Sequence, residues 1–174
     1  MAALDTQTIA TLMDAGFNHR ACVFLGVYSR DQCPTHPPSR TRNYSAIINT
    51  DVSTGPGEHW VAIYFDATKG TEFFDSYGMP PRAYDIALPQ LTRYNTHLLQ
   101  SLDGTVCGQY CIHFLIHRAL GYPLPRYVTQ FSSDLRANDW IVHRFILDTF
   151  APTPIHSPTR GCQCCVSRSA AQRA

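Results

Sequence analysis

Cys107 combines the features that a nucleophilic cysteine needs. The thiolate is the reactive form of cysteine, and a helix N-terminus together with a neighbouring imidazolium lowers the pKa of the thiol. The apolar run Cys107–Leu120 (CGQYCIHFLIHRAL) predicts a helix that begins at Cys107. Cys107 is then expected at the positive end of the helix dipole, whereas Cys111, one turn further along, is expected to be buried for packing. The sequence therefore predicts a thiol nucleophile at Cys107.

A histidine must approach this thiol to act as its base. The chain has eight histidines, of which His113 and His117 lie on the predicted Cys107 helix and cannot fold back to the thiol. His59 is the strongest candidate because it begins a strand directly after a glycine-rich turn, with Trp60 beside it to pack the site. The remaining histidines fall on predicted loops, helices or the tail, and they are His19, His36, His97, His143 and His156.

A predicted hairpin supplies an acidic partner for His59. Its two β-rich strands are separated by a four-residue turn and cover His59–Asp66 (HWVAIYFD) and Thr71–Tyr77 (TEFFDSY). Asp75 lies near the end of the second strand, so the hairpin is expected to bring it close to His59 across the ladder. Its alternative role is a carboxylate that caps a turn. Asp66 and Glu72 flank the turn at the opposite end and are expected to be solvated.

An acyl-transfer site also needs hydrogen-bond donors for the oxyanion. The backbone N–H of Cys107, at the helix start, is one such donor. Gln100 stands seven residues before Cys107, and the loop between them can return its side-chain amide to the thiol. The alternative role of Gln100 is a loop residue that caps the helix. Gly108 leaves room for a substrate backbone, so Trp60 and Gly108 are predicted to contact the substrate.

The remaining segments predict the framework that positions these side chains. Thr6–Ala15 predicts a helix capped by Asp5 or Thr6, and Asp139–Phe150 predicts a last helix. Between them, Ala21–Tyr28 predicts a strand or loop, Tyr44–Asn49 a strand and Tyr84–Leu99 a partly helical stretch. The last helix is expected to present an apolar face made by Trp140, Ile141, Arg144, Phe145, Ile146 and Leu147. Antiparallel strands around a central buried helix are an α+β pattern.

Length and composition predict one domain over residues 1–150 and a mobile tail over residues 151–174 with Pro, Ser, Arg and Cys. Hydrophobic residues make up 44% of the chain, which argues against a disordered protein. No run approaches the ~20 apolar residues of a membrane span. Asp5 and Asp14 interrupt the start of the chain where a signal peptide is apolar, so we expect a soluble protein outside the secretory route. The net charge of +1 argues against a dedicated nucleic-acid binder.

The seven cysteines are an odd number, and in a chain expected inside the cell they do not predict a disulfide framework. Cys162, Cys164 and Cys165 lie in the tail. Zinc binding there needs a ligand from elsewhere, because adjacent cysteines have poor geometry for one tetrahedral ion. Reversible oxidation or simple disorder is the favoured interpretation, and no metal site is predicted.

These residues resemble the adenovirus protease (adenain) family, of a clan shared with SUMO-specific proteases, in their order: His59–Trp60, Asp75, Gln100 and Cys107–Gly108. GEHWVAIYF is similar to the family's catalytic-histidine strand, TEFFDSYG to its acidic strand and QSLDGTVCGQYCIHFL to its Gln–Cys–Gly segment. FLGVYSRDQCP followed by SAIINTD is similar to its N-terminal part. FSSDLRANDWIV is similar to a segment of relatives in large DNA viruses and virus-like transposons. The resemblance covers roughly residues 24–150.

The resemblance implies a papain-like cysteine protease core, with a central helix packed on a mostly antiparallel sheet. It implies Cys107 as the nucleophile, His59 as the general base, Asp75 as the residue that orients it and Gln100 as the oxyanion donor. The acidic residue is a glutamate in adenovirus, and an aspartate is shared with the SUMO-protease branch. The seven-residue step from Gln100 to Cys107 favours the adenovirus branch.

By resemblance, the chain is expected to be a cysteine endopeptidase that matures virions. Its expected substrates are viral capsid or core precursor polypeptides with Gly-containing cleavage sites, in the host nucleus and the virion. One alternative keeps the chemistry and removes ubiquitin or SUMO-like proteins, which also end in Gly-Gly. A non-enzymatic alternative is a binding module that uses the Cys-rich tail as a partner or metal site.

The resemblance implies activators rather than a cofactor for the chemistry. Adenain is stimulated by DNA and by a capsid-derived peptide joined through a disulfide, at a cysteine between the acidic residue and the glutamine. No cysteine lies between Asp75 and Gln100 here, so a disulfide-linked peptide is not expected. The near-neutral charge weakens the case for viral DNA, and no membrane partner is expected.

Overall fold

The structure, a computed structural model, describes residues 1–17 and 20–150. The predicted tail over residues 151–174, with Cys162, Cys164 and Cys165, lies outside the described residues, as does His19. The described chain packs helices on a five-stranded sheet. This architecture confirms the predicted α+β class.

Four α-helices and two short 3₁₀ segments are present in the described chain. The α-helices are α1 Thr6–Gly16, α2 Cys107–Ala119, α3 Leu124–Val128 and α4 Leu135–Phe150, and the 3₁₀ segments are Arg30–Gln32 and Pro81–Tyr84. The predicted cap of α1 is Asp5, whose carboxylate accepts a hydrogen bond from the Thr8 backbone N–H at 2.7 Å. Within the described ranges, no helix has both the length and the apolar character needed to cross a membrane.

The five strands lie in the sheet in chain order. They are β1 Val23–Ser29, β2 Tyr44–Asn49, β3 Trp60–Asp66, β4 Gly70–Phe74 and β5 Leu91–Tyr94. Strand β3 pairs antiparallel with both β2 and β4, while the edge strands β1 and β5 run parallel to β2 and β4. Antiparallel pairing is thus confined to the centre of the sheet, where the predicted hairpin lies, and the sheet as a whole is mixed.

The predicted helical character of Tyr84–Leu99 is wrong. The 3₁₀ segment ends at Tyr84, and Leu91–Tyr94 forms strand β5. His97 therefore follows a strand and does not lie on a helix. Strand β5 is too short to carry a periodic signal, and its hydrogen bonds to β4 are a tertiary interaction that overrides local propensity.

The two helices after α2 also depart from expectation. Pro123 and Pro125 lie beyond the end of α2, as predicted, but they also begin α3, since proline is tolerated in the first turn of a helix. Helix α4 begins at Leu135 rather than at Asp139. The predicted apolar face of this helix is only partly confirmed, because Ile146 is buried and Phe145 packs against the core, while Trp140, Ile141 and Leu147 are exposed. The other buried residues are Asn138, Asp139 and Val142.

Both faces of the sheet are covered by apolar side chains. Successive residues of β3 point to opposite faces, so Ala62 and Tyr64 pack in one core and Val61 and Ile63 in the other. The first core contains α2, which packs mainly on β3 and α4. Helix α2 is therefore central and buried, as predicted, and its first residue is held at the end of the β3–β4 hairpin.

A buried ion cluster fixes the far end of α2 to the hairpin. Arg118 Nε donates to Glu72 Oε2 at 2.7 Å, and Arg118 Nη2 donates to Asp66 Oδ2 at 3.4 Å. The guanidinium also lies 4.3 Å from the centre of the Tyr64 ring. Glu72 is only 4% exposed, so the expectation that Asp66 and Glu72 are solvated is wrong. A buried carboxylate is tolerated here because it is paired and hydrogen-bonded.

Candidate active site

His59 and Asp75 meet at the end of the β3–β4 hairpin opposite its turn. Strand β3 begins at Trp60 and β4 ends at Phe74, so both side chains lie just beyond the paired residues. The register pairs Ala62 with Phe74, and its extension sets His59 diagonally across from Asp75. His59 Nε2 lies 2.6 Å from Asp75 Oδ1, and both side chains are buried. The hairpin thus brings together the predicted base and acid.

The Asp75 carboxylate is fixed by further donors. They are the Tyr77 backbone N–H at 3.0 Å, the Met79 backbone N–H at 2.9 Å and the Tyr84 hydroxyl at 2.9 Å. These hydrogen bonds offset the cost of burying a carboxylate that has no exposed surface. Asp75 therefore caps the turn after β4 and contacts His59 at the same time, so the two roles considered for it coexist.

Cys107 is the first residue of α2, where the backbone N–H groups have no acceptor within the helix. No side chain caps this end, because the N-cap residue is Val106. Cys107 is 9% exposed, lines the same cleft as His59 and lies close enough to the imidazole to raise the pKa of His59. Since Asp75 takes Nε2 of the imidazole, the nitrogen that remains for the thiol is Nδ1. Cys107, His59 and Asp75 therefore form one continuous chain of contacts.

The surroundings of His59 favour its imidazolium form. Burial alone lowers the pKa of His59, but its hydrogen bond to Asp75, the neighbouring Cys107 side chain and the charges of these two groups raise that pKa to about 9. At neutral pH the ring is therefore protonated beside the thiol. A neighbouring imidazolium is the environment that stabilises a thiolate.

The other described cysteines lack this environment. Burial raises the pKa of both Cys22 and Cys33 to about 11. Cys111 is fully buried, as predicted, and burial raises its pKa well above the usual value. These three side chains stay thiols near neutral pH and are poor nucleophiles.

A cleft of about 640 Å³ passes over the thiol. His59, Trp60, Tyr77 and Cys107 line it together. The rest of the lining comes from short segments of the chain, which are residues 3–6, 27–32, 49–58 and 104–105. The cleft therefore lies between the segment that precedes α1 and the loop that precedes β3.

Trp60 and Gly108, the predicted substrate contacts, both pack against the N-terminal part of the chain. Trp60 lines the cleft, and its Nε1 donates to the Leu4 carbonyl at 2.9 Å. A side chain at Gly108 meets atoms of Leu4 and Ile9 at 3.2 Å. The lack of a side chain at Gly108 thus allows α1 to pack on α2, and a substrate contact at Gly108 stays a prediction.

Gln100 is fully buried and is not among the described residues that line the cleft. Its Nε2 donates to the Gly104 carbonyl at 2.7 Å and to the Tyr77 hydroxyl at 3.3 Å. Its Oε1 accepts a hydrogen bond from the Ser76 hydroxyl at 2.8 Å. These bonds hold the loop that leads into α2, and an oxyanion role for Gln100 stays a prediction.

The sequence is similar to proteins of large DNA viruses. The chain is 26% identical over 118 residues to a cysteine protease of African swine fever virus, which covers 59% of this chain and 43% of that protein. It is 31% identical over 104 residues to a protein of Acanthamoeba polyphaga mimivirus that is named as a thiol protease, covering 51% of this chain and 34% of that protein. The relatives of this chain are viral cysteine proteases.

The chain spans less than half the length of these viral proteases. The chain is also 25% identical over 118 residues to a protein of another African swine fever virus isolate that is named a SUMO-1 cysteine protease. This match covers 59% of this chain and 43% of that protein. No protein-family model matches the sequence. The central domain of an uncharacterized Legionella pneumophila protein covers 86% of this chain and 99% of its own length at a TM-score of 0.50 and 13% identity, a likeness that shows the fold alone.

Asp139 anchors the loop that precedes Cys107. No sequence motif had identified this residue as part of the site. Asp139, on α4, accepts hydrogen bonds from the Ser101 hydroxyl, from the Ser101 backbone N–H at 3.3 Å and from the Tyr110 hydroxyl at 3.2 Å. It is 1% exposed, so these donors are required. The available signal was an Asn-Asp pair, Asn138–Asp139, at the start of the predicted last helix.

Residues 1–5 form a second feature that the sequence did not reveal. Besides the bond from Trp60 to Leu4, Thr105 Oγ1 donates to the Met1 carbonyl at 2.8 Å and Gln109 Nε2 donates to the Ala2 carbonyl at 2.9 Å. Side chains on both sides of the thiol therefore hold this segment as a wall of the cleft. These pairs are more than a hundred residues apart in the chain, so no local pattern signals them.

Proposed function

We propose that this chain is a cysteine endopeptidase, with Cys107 as the nucleophile, His59 as the proton-transfer group and Asp75 as the residue that orients it. The contact chain from Cys107 through His59 to Asp75 carries this proposal. It lies in a cleft, at a helix start, and pairs the thiol with a protonated imidazole. A purely structural role does not explain why Cys107 and His59 line a cleft. Nor does it explain why Cys107 has an imidazole beside it while Cys22, Cys33 and Cys111 do not.

Acylation begins with attack of the Cys107 thiolate on the carbonyl carbon of the scissile peptide bond, which forms a C–S bond and a tetrahedral intermediate. The imidazolium of His59 then gives its proton to the amide nitrogen as the C–N bond breaks. The products of this half-reaction are a thioester on Cys107, a free amine and neutral His59.

Deacylation returns the site to its starting state. Neutral His59 takes a proton from water, and the resulting hydroxide attacks the thioester carbonyl while the C–S bond breaks. The carboxylic acid product leaves, and the thiolate–imidazolium pair forms again. Asp75 holds the ring in one orientation and stabilises its charged form in both half-reactions.

The start of α2 faces the negative charge that develops on the carbonyl oxygen. The backbone N–H of Cys107 has no acceptor within the helix and lies at the positive end of the helix dipole. We include Gln100 as a side-chain contributor to this oxyanion site, because its loop leads directly into α2 and its amide contacts Tyr77 in the cleft wall.

The proposed substrates are viral capsid or core precursor polypeptides cut at Gly-containing sites during virion maturation, in the host nucleus and the virion. The relation to viral proteases supports a viral polypeptide substrate. Three glycines among the described lining residues, Gly55, Gly57 and Gly104, lack side chains that would narrow the cleft, which favours the backbone of an extended peptide. We propose further that the chemistry needs no bound cofactor, and that a peptide or DNA acts only as an activator.

A second candidate function is removal of ubiquitin-like proteins by the same catalytic groups. It is favoured by the relative named a SUMO-1 cysteine protease. The two functions differ in the size of the group recognised, because an isopeptidase binds the folded protein as well as its Gly-Gly end. The non-enzymatic alternative, a binding module with the Cys-rich tail, predicts no turnover with either substrate.

Three fluorogenic substrates separate these functions: a Gly-Gly peptide, full-length ubiquitin and full-length SUMO, each ending in aminomethylcoumarin. An endopeptidase hydrolyses the peptide with a kcat/KM similar to or above that of the proteins. An isopeptidase prefers one protein by roughly a hundredfold or more. Cys107→Ala is expected to remove the activity and Cys33→Ala to keep it. Turnover that survives Cys107→Ala contradicts the proposal.

A further inference from the structure

The hydrogen bonds of Gln100 leave no free donor for an oxyanion. An amide nitrogen has two N–H groups, and those of Gln100 go to the Gly104 carbonyl at 2.7 Å and to the Tyr77 hydroxyl at 3.3 Å. The side chain has no exposed surface. Gln100 therefore reaches a substrate carbonyl only by giving up one of these internal bonds.

Tyr77 occupies the position between this amide and the reacting groups. Its ring stacks on the His59 imidazole with the ring centres 4.6 Å apart and the planes at 24°. Tyr77 lies in the turn that follows β4, which is closed by the hydrogen bond from the Gly78 backbone N–H to the Asp75 carbonyl at 2.9 Å. Tyr77 also lines the cleft together with Cys107 and Gly104. Its side chain is thus in contact with the base and open to a bound substrate.

The Tyr77 hydroxyl keeps its own proton for donation. A phenol can accept one hydrogen bond and donate another, and this hydroxyl accepts from Gln100 Nε2. Within the described part of the chain, no acceptor takes its proton. Burial and the charges of Cys107, Asp75 and Asp139 raise the pKa of Tyr77, so the hydroxyl stays protonated at the pH values at which His59 is protonated.

We propose that the Tyr77 hydroxyl, rather than the Gln100 amide, donates the side-chain hydrogen bond to the oxyanion, and that Gln100 acts through it as a positioning residue. This inference rests on the proposed acyl-transfer function. The N–H of Gln100 polarises the phenol and fixes its direction, and the phenol presents its proton beside the backbone N–H of Cys107. No proton is transferred, because the hydroxyl only donates a hydrogen bond as the oxyanion forms and decays.

The variant Tyr77→Phe tests the hydroxyl while keeping the ring on His59. For the Gly-Gly-aminomethylcoumarin peptide, kcat is expected to fall about 10²–10³-fold with little change in KM. The rate at which iodoacetamide alkylates Cys107 is expected to stay the same across the pH range, since alkylation of a thiolate forms no oxyanion. Tyr122→Phe removes a hydroxyl away from the cleft and is expected to match the wild type.

The double variant distinguishes a Gln100 that acts through the Tyr77 hydroxyl from a Gln100 that donates directly to the oxyanion. Gln100→Ala in the Tyr77→Phe background is expected to lower kcat by no more than about threefold further, because Gln100 acts through the missing hydroxyl. Two results overturn the inference while leaving the protease function in place. They are a kcat within threefold of wild type in Tyr77→Phe, and a loss of alkylation along with hydrolysis, which assigns Tyr77 to the support of His59.

Failure of the proposed function has a different signature. The wild-type protein then hydrolyses none of the three coumarin substrates, and Cys107 reacts with iodoacetamide no faster than Cys33. That result overturns the protease function and the Tyr77 inference together. It is distinguishable from the results above, which all require an active wild-type protein.

Discussion

His59 Nε2 and Asp75 Oδ1 lie 2.6 Å apart, joined across the hairpin ends at two positions that no helix or strand contains. This contact leaves only Nδ1 of the imidazole for the Cys107 thiol. It also places the positive charge of the ring between two groups that are negative in the proposed mechanism. The contact between His59 and Asp75 therefore determines both which imidazole nitrogen faces the thiol and the charge of the imidazole ring.

Asp75→Asn is predicted to slow acylation by at least about 10²-fold, because the ring loses its orientation and the stabilisation of its charge. The variant is also expected to melt at a lower temperature, since an asparagine cannot accept all of the bonds from Tyr77, Met79 and Tyr84. Pre-steady-state release of coumarin and a thermal melt measure the two effects. Asp103→Asn, at an exposed carboxylate, is the matched control. An unchanged acylation rate means that another group holds His59.

Cys107→Ala is predicted to abolish peptide hydrolysis while leaving the melting temperature almost unchanged. Cys111→Ala, one turn away and fully buried, is predicted to do the reverse. Loss of a buried side chain of this size costs roughly 1 kcal/mol of stability, and activity should be retained at a temperature where the variant is folded. The comparison uses two cysteines of one helix, so it isolates the position of the thiol. A Cys111→Ala variant that is folded but inactive would contradict the assignment.

The free energy of unfolding is predicted to fall as the pH rises from 6.5 to about 9, because the pKa of His59 is raised from 6.5 to about 9 in the folded protein. A group whose pKa is raised by folding stabilises the protein fully below its unfolded pKa and loses that contribution as the pH passes its folded value. Denaturant unfolding followed by tryptophan fluorescence measures the slope.

The same slope should be smaller in Asp75→Asn, because the hydrogen bond that raises the pKa of His59 is weakened. His113 does not interfere in this range. Burial lowers its pKa to about 3, so its contribution changes only below pH 6.5. A wild-type stability that is flat or rises between pH 6.5 and about 9 is inconsistent with a protonated His59.

Gln100→Ala is predicted to lower kcat about 10²–10³-fold, or roughly 3–4 kcal/mol in the barrier, with a much smaller change in KM. Gln100→Glu is expected to be at least as damaging, since a carboxylate has no N–H to donate to the Tyr77 hydroxyl. The competing role is structural, because the amide also holds the loop through Gly104 and Ser76. A melting temperature lower by several degrees, with kcat within about threefold of wild type, supports that role alone.

The core of the site was predictable because its residues lie at the ends of elements with strong local patterns. The aromatic and β-branched run of β3 and the apolar run of α2 each signal their own start, which locates His59 and Cys107. The short turn between β3 and β4 then fixes the register, and the register brings Asp75 to His59. Local sequence was sufficient wherever one turn separated the partners.

Most of the features that were missed depend on partners far away in the chain. Strand β5 is defined by β4, Glu72 is buried by Arg118, and residues 1–5 are held by side chains near α2. Tyr77 was predicted only as the last residue of a strand, although it lies in the turn after β4 and its ring stacks on His59. A polar side chain in an apolar segment was the one local sign, as at Glu72 and Asp139.

Labelling with a glycine-ending electrophile, followed by mass mapping of the modified cysteine, tests the central claim most directly. A Gly-Gly vinyl sulfone is expected to modify Cys107 at least about 10²-fold faster than Cys33, because, among the cysteines that the structure describes, only Cys107 has a protonated imidazole beside it. The reaction at Cys107 is expected to slow in Asp75→Asn. Equal labelling of Cys107 and Cys33, or preferential labelling of any other cysteine, would contradict the assignment of Cys107 as the nucleophile.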